Sequence, residues 1–313
     1  MKLFLKKILI FILFSLIISI ILILSIPKDE NNYLCEYNHK VELIEKTPQP
    51  RIIFIGGSNI AFGLDSQRIK DSLNVNVINL GLHAGIGIRF PLEDFLQYIQ
   101  KGDVVVLQIE YKNYFGGENG EPETFLPLMI ATNWRSYNKL NLNQWYNIVL
   151  GIPQVTMANF LRLTKYPTTK SFNKKENPKE FEYLKSGFNE YGDEISHYNY
   201  PSPQKIKKKK PKNYTFNQNF IPWLSHMIEK YEQAGATIIM LPPVCITYYF
   251  NDTYKNEIGI SLKQIHHPYI VEPITMTLDE QYMFNTNSHI NKDGVRLNTN
   301  KIINILRNAD IPR

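Results

Sequence analysis

The sequence predicts an α/β domain built on a parallel sheet and preceded by one membrane-crossing helix. Three observations predict it. Residues Ile8 to Ile26 form an almost unbroken apolar segment of nineteen residues. Beyond it, short β-branched runs alternate with amphipathic stretches, the signature of strands and helices in turn. Those runs are apolar at every position, as strands covered on both faces are.

The apolar segment is long enough to cross a hydrocarbon core as one helix. Lys2, Lys6 and Lys7 precede it, which keeps the N-terminus in the cytoplasm and places everything after Pro27 on the far side. A cleaved signal peptide would have a shorter apolar core and a small-x-small site, and Leu24-Ser25-Ile26-Pro27 offers none. Residues 1–27 are therefore read as an uncleaved anchor of a single-pass protein of the cell membrane. Pro27 to Pro50 is polar and proline-bounded, and residues 28–50 read as a stalk. About 285 residues follow the anchor, which fits one domain at 51–313 with an insertion at about 113–215 rather than two domains.

Within that domain Ile52 to Ile55 is the first predicted strand, Ser66 to Leu73 a short helix and Val75 to Asn79 the second strand. A helix is expected over Pro91 to Gln100 and a third strand over Val104 to Ile109. Phe220 to Ala234 has helical apolar spacing closed by Gly235, and Thr237 to Leu241 is a strand stopped by Pro242-Pro243. Val295 to Leu306 is an amphipathic tail. The stretch between Asn113 and Thr215 is aromatic and polar, with Trp134, Trp145, Tyr183 and Tyr198 among Asn, Lys and Pro, and is expected to form a cap. Aromatic faces with polar edges suit sugar rings, although packing of an irregular insertion would place them there equally well.

Ligands of such sheets bind beyond the carboxyl ends of the strands, and Ser58, Gly81 and Glu110 all follow such ends. Ser58 closes the run Arg51-Ile52-Ile53-Phe54-Ile55-Gly56-Gly57-Ser58-Asn59, where two glycines permit a sharp turn into a helix. A serine at such a tip is a candidate nucleophile, and the amides that open the helix suit an oxyanion. Its plainer reading is a helix N-cap. His289 lies in the polar loop Phe284 to Gly294, ahead of the amphipathic tail, where it can meet Ser58 if both lie at one sheet edge.

Together these segments resemble the SGNH hydrolase superfamily of GDSL-like esterases and acyltransferases, whose sheet is flavodoxin-like. Gly56-Gly57-Ser58-Asn59 matches the first family block, with Gly57 at the acidic position. Asn79-Leu80-Gly81 matches the second, and His289 with Gly294 matches the last. The resemblance covers Arg51 to Ile109 and Phe220 to Leu306. It implies Ser58 as nucleophile, His289 as general base, and the amides of Ser58 and Gly81 as oxyanion donors. The aspartate that should shortly precede the histidine is missing, and Asn285 lies nearest its place. An asparagine orients a histidine but does not stabilise imidazolium as a carboxylate does. Asp279 and Asp293 are the other carboxylates near in sequence. The third block is absent, since the chain reads Glu110-Tyr111-Lys112-Asn113. Glu110 is expected to orient Arg89 or a substrate hydroxyl, and His83 to touch substrate or satisfy its own loop.

The closest likeness is to membrane-tethered members of bacterial envelopes. The implied activity is therefore hydrolysis or O-acyl transfer, with acetyl as the group, on an envelope polysaccharide. Transfer would require a multi-spanning membrane partner to deliver the acyl group. The alternative is an inactive scaffold of the same fold that binds glycan or a membrane partner. No cofactor is expected, and no metal, because adjacent His266 and His267 do not make a ligand set. Gly81-Leu82-His83-Ala84-Gly85-Ile86-Gly87 lacks nucleotide-loop spacing. Cys35 and Cys245 set no disulfide framework. The formal charge of +6 arises in the Lys205 to Lys212 run, which reads first as a solvated, disordered loop, since such charge blocks repel; the anchor places it away from nucleic acid, where anionic headgroups or acidic glycan are the available partners.

Overall fold

The computed structural model describes residues 1–172, 180–202, 206, 216–253 and 268–309. Helix α1, Lys2–Ser25, leads the chain, and none of its residues is buried. It is the one helix among the described residues long and apolar enough to cross a membrane.

Four strands form a wholly parallel sheet: β1 Arg51–Gly56, β2 Asn76–Asn79, β3 Val104–Gln108 and β4 Thr237–Met240, in the order β2-β1-β3-β4. Each strand expected from the sequence is present, with ends moved by a residue. Phe54 pairs with Asn79 on one side and Val106 on the other, and Val106 pairs with Ile239. Because side chains alternate across a strand, the apolar runs feed two cores. Ile53, Ile55, Ile78, Val105, Leu107 and Met240 face one, and Ile52, Phe54, Val77, Val106 and Ile239 face the other.

The first core is closed by α2 (Glu36–Lys46), α5 (Arg89–Phe95) and α8 (Phe220–Gln233), through Val41 and Ile44, Phe90 and Phe95, and Leu224 and Tyr231. The second is closed by α4 (Ser66–Leu73) and the helix Lys292–Asn308, through Ile69, Ile302, Ile303 and Leu306. A two-stranded parallel pair, β5 Cys245–Ile246 and β6 Thr277–Leu278, extends the structure beyond β4.

Residues 28–50 are not the expected stalk. Tyr33, Leu34, Tyr37, Val41 and Ile44 recur at helical spacing and bury themselves in the first core. The insertion begins with α6 (Pro122–Ala131) and the 28-residue α7 (Leu142–Thr169), which packs along α6 and against α1. Residues 180–202 then return to the edge of the sheet. Cys35 and Cys245 are buried and unpaired. The Lys205 to Lys212 run, apart from buried Ile206, and the His266-His267 pair lie outside the described residues.

At the amino ends of β1 and β3 the Arg51 guanidinium meets the Asp103 carboxylate in two parallel bonds, Nε to Oδ1 at 2.8 Å and Nη2 to Oδ2 at 2.9 Å. Both side chains are completely buried. The remaining donors reach the carbonyls of Ile44, Thr47 and Tyr98, while Gln49 Nε2 and the Gln100 amide donate to Asp103. Removing one partner strands the other charge in the interior, at a cost of about 3–5 kcal/mol. Arg51→Met should therefore destabilise strongly in denaturant melts, and Arg51→Met with Asp103→Leu should recover much of that loss.

Candidate active site

The sheet order places β2 on one side of β1 and β3 on the other, so the crevice between chain directions opens where β1 and β3 end. Ser58 follows the first of these strands and Glu110 the second. Gly57 bridges β1 and the short helix α3, Ser58–Ala61. A Cβ on Gly57 would stand 2.4 Å from Glu110 Oε1, so only glycine allows this approach. Asn59 fixes the turn from within: its Oδ1 accepts from the Gly57 amide at 3.2 Å and its Nδ2 donates to the Gln108 carbonyl at 3.1 Å.

The Ser58 hydroxyl donates to Glu110 Oε1 at 3.1 Å, and the Asn59 amide donates to the same oxygen at 3.2 Å. Glu110 thus serves the turn itself and does not orient Arg89. Arg89 lies 3.9 Å from Glu118 Oε1 and its guanidinium sits 4.3 Å from the Trp223 ring centroid. The Ser58 amide opens its helix and has no intrahelical acceptor. The Gly81 amide, the other expected oxyanion donor, donates to Asn79 Oδ1 at 2.9 Å. Gly81 nevertheless lies against the serine turn, since a Cβ there would come within 2.7 Å of the Gly57 carbonyl oxygen. His83 serves its own loop: Nδ1 accepts from the Gly85 amide at 2.9 Å. Burial, helped by nearby Lys112, lowers its pKa.

His289 is held from several sides. Its backbone is fixed by Phe284 N donating to its carbonyl at 2.8 Å and by its own amide donating to Thr286 Oγ1 at 2.9 Å. Its ring stacks on Phe62 with centroids 4.1 Å apart and planes 3° from parallel. Phe62 ends the helix that Ser58 begins, and its amide donates to the Ser58 carbonyl at 2.9 Å. The stack therefore sets the imidazole against the ring of the residue that closes the serine helix. Both Ser58 and His289 are only 6% exposed.

Asn285 stands where an aspartate was expected. Its Nδ2 donates to Tyr183 Oη at 3.1 Å, which turns Oδ1 toward the imidazole, and His289 Nδ1 lies 2.9 Å from that oxygen. In this orientation Nδ1 carries the proton and Nε2 presents its lone pair. No hydrogen bond joins Nε2 to Ser58 among the described residues, because the serine is turned to Glu110. Nor does Asp279 or Asp293 bond to His289; Asp293 sits exposed, 3.8 Å from Arg296. Compared with family models, curated proteins and solved structures, the chain has no match.

Several neighbours of the site carry no local signal in the sequence. Tyr183, from the insertion, touches both Asn285 and, at 3.5 Å, His289. His197 packs against Phe62 and Phe284, and its Nδ1 lies 2.5 Å from Glu194 Oε2. A pairing of Glu194 and His197 three residues apart was available to local inspection. Their arrival beside His289 depends on a return of the chain across more than ninety positions.

Burial, reinforced by the positive charge that His197 and His83 would bear, lowers the pKa of His289 to about 3. The ring bonds to an amide, so imidazolium finds no stabilising anion. Its folded pKa lies below the unfolded value near 6.5. The stability that depends on a neutral His289 is therefore complete above about pH 6.5 and falls away as the pH drops toward 3. Asn285→Asp supplies the missing charge and should raise the His289 pKa, read as an upward shift in its ring-proton NMR titration. The acid-side loss of stability should shrink in the same variant. A His289 titration unmoved by the aspartate would show that Asn285 does not face the ring.

Proposed function

We propose that the chain is a membrane-anchored, SGNH-like serine esterase or O-acyltransferase, acting on acyl esters, in the first instance acetyl, of an envelope polysaccharide. The observation that carries this reading is the Asn285–His289 bond, which commits Nδ1 and leaves Nε2 as a base on a ring stacked against Phe62, at the end of the helix that Ser58 begins. The glycine-lined serine turn at the carboxyl edge of a parallel sheet supports it as well. The polysaccharide and acetyl assignments rest on the likeness to envelope proteins. Extracytoplasmic placement of the domain rests on Lys2, Lys6 and Lys7 ahead of α1.

In this mechanism the Ser58 hydroxyl leaves Glu110 and turns to His289. Its oxygen attacks the ester carbonyl carbon while Nε2 takes the proton. Asn285 holds the Nδ1–H through the step, and the Ser58 amide faces the developing oxyanion. Gly81 joins as second donor once its amide is released by Asn79. Collapse of the tetrahedral species expels the alcohol, which takes the proton from His289 and leaves the acyl group on Ser58. Water then gives hydrolysis, and a sugar hydroxyl gives transfer. For transfer, a multi-spanning membrane partner supplies the acyl group.

A second reading, a catalytically silent scaffold that binds glycan or a membrane partner, is favoured by one observation. The Ser58 hydroxyl and the Gly81 amide both have partners at rest, and a carboxylate beside Ser58 Oγ opposes a neighbouring oxyanion. The two readings part at Ser58. A fluorophosphonate should label the full-length protein at Ser58, and Ser58→Ala should reduce short-chain ester turnover to background. Glu110→Gln, which keeps the shape and removes the charge, should raise turnover in the enzyme. Absence of both labelling and turnover in every form, Glu110→Gln included, would establish the scaffold.

A further inference from the structure

Helix α7 carries an apolar stripe left exposed among the described residues. Tyr146, Val149, Leu150, Met157, Phe160 and Leu161 are all exposed, Met157 to 58% and Phe160 to 48%. Their three- and four-residue spacing puts them on one side of the helix. The opposite face of α7 is joined to α1. Asn159 Nδ2 donates to the Leu22 carbonyl at 3.1 Å, and Arg162 Nη2 donates to the Pro27 carbonyl at 2.6 Å. The last turns of α7 therefore lie level with the end of the apolar helix, whose own residues are likewise exposed.

Between α1, α6 and α7 lies a cavity of about 700 Å³ whose lining includes Ile23, Ile26, Ile130, Val155 and Ala158. Arg162 and Lys165 line it too. The hydrogen bonds of Arg162 go to neutral oxygens, those of Pro27, Asn159 and Phe172. Lys165 is exposed and forms no ion pair among the described residues. Lys28 and the carboxylate of Asp29 complete the charged lining, so three cations face one anion, and an apolar groove with such a net positive rim has the chemistry of a lipid tail joined to an anionic head.

We propose that α7 lies in the surface of the bilayer crossed by α1, with its stripe among the lipid tails. The groove between the helices then holds one phospholipid, its acyl chain on Ile23, Ile26 and Ala158 and its phosphate at Arg162 and Lys165. This rests on the reading of α1 as a membrane anchor. It is independent of any chemistry at Ser58.

Spin labels placed singly through Met157→Cys, Phe160→Cys, Ile12→Cys and Glu229→Cys, in a Cys35→Ala, Cys245→Ala background, test the first part. The full-length protein would be reconstituted in phosphatidylcholine vesicles containing phosphatidylglycerol. Positions 157, 160 and 12 should collide more with oxygen than with a water-soluble nickel chelate, and position 229 the reverse. Nickel-accessible labels at 157 and 160 with a lipid-exposed position 12 overturn this proposal alone. A nickel-accessible position 12 overturns the anchor and the proposal together. Shielding of 157 and 160 from both reagents marks a protein neighbour, a second copy or a membrane partner, and also overturns it. The groove is tested without cysteines: native mass spectrometry of the wild-type chain should show one retained phosphatidylglycerol, lost in Ala158→Trp. Equal retention by both proteins, or by neither, overturns the lipid site.

Discussion

Asn79 holds the candidate active site together. Its amide donates to the Tyr191 carbonyl at 2.9 Å, its carbonyl accepts from Lys40 Nζ at 2.9 Å, and its Oδ1 accepts from the Gly81 amide. Its Nδ2 donates both to the Ile60 carbonyl at 3.0 Å and to Asp193 Oδ1 at 2.8 Å. One fully buried residue thereby ties the end of β2 to the serine helix and the insertion and, through its carbonyl and Lys40, to α2. Asp193 answers with bonds from the Ser66 hydroxyl and amide, and Lys40 with a second carbonyl, that of Gly192, at 2.7 Å. Burial draws the Lys40 ammonium down to about 8 and raises the Asp193 carboxyl. Polar groups so deep are tolerable only because the network is nearly closed.

That network explains why some of the structure was legible in the sequence and some was not. Strands β1 to β4 announced themselves because a sheet covered on both faces needs runs of apolar residues, and Ile52 to Ile55 or Val104 to Leu107 have no other use. The bond between Asn285 and His289 was within reach of local reasoning, the two being four positions apart in one loop. Ser58 and Glu110 could each be placed at a strand end. Their mutual bond could not be, because it depends on the register of β1 beside β3 and on Gly57 lacking a Cβ.

Residues 28–50 misled for a different reason. Prolines and polar residues at both ends suggested an extended linker, while Tyr37, Val41 and Ile44 carried a helical stripe too short to stand out. Tertiary burial, with Val41 and Ile44 wholly enclosed, is what makes this helix. The Gly81 amide is a comparable case. A motif position predicts where a donor sits, but the side chain two residues earlier decides whether it is free.

The folded state of residues 28–35 sets how far the site can travel. Seven positions separate Ile26 from Tyr33, whose hydroxyl donates to the Leu82 carbonyl and whose ring meets those of His83 and Tyr183. Even fully extended, seven residues span at most about 25 Å. With α1 seated in a bilayer, the crevice has no leash on which to explore the surrounding volume. It patrols a layer a few nanometres deep, and its encounters are those of lateral diffusion, favouring chains that lie on or grow from the same surface over those that drift past in solution.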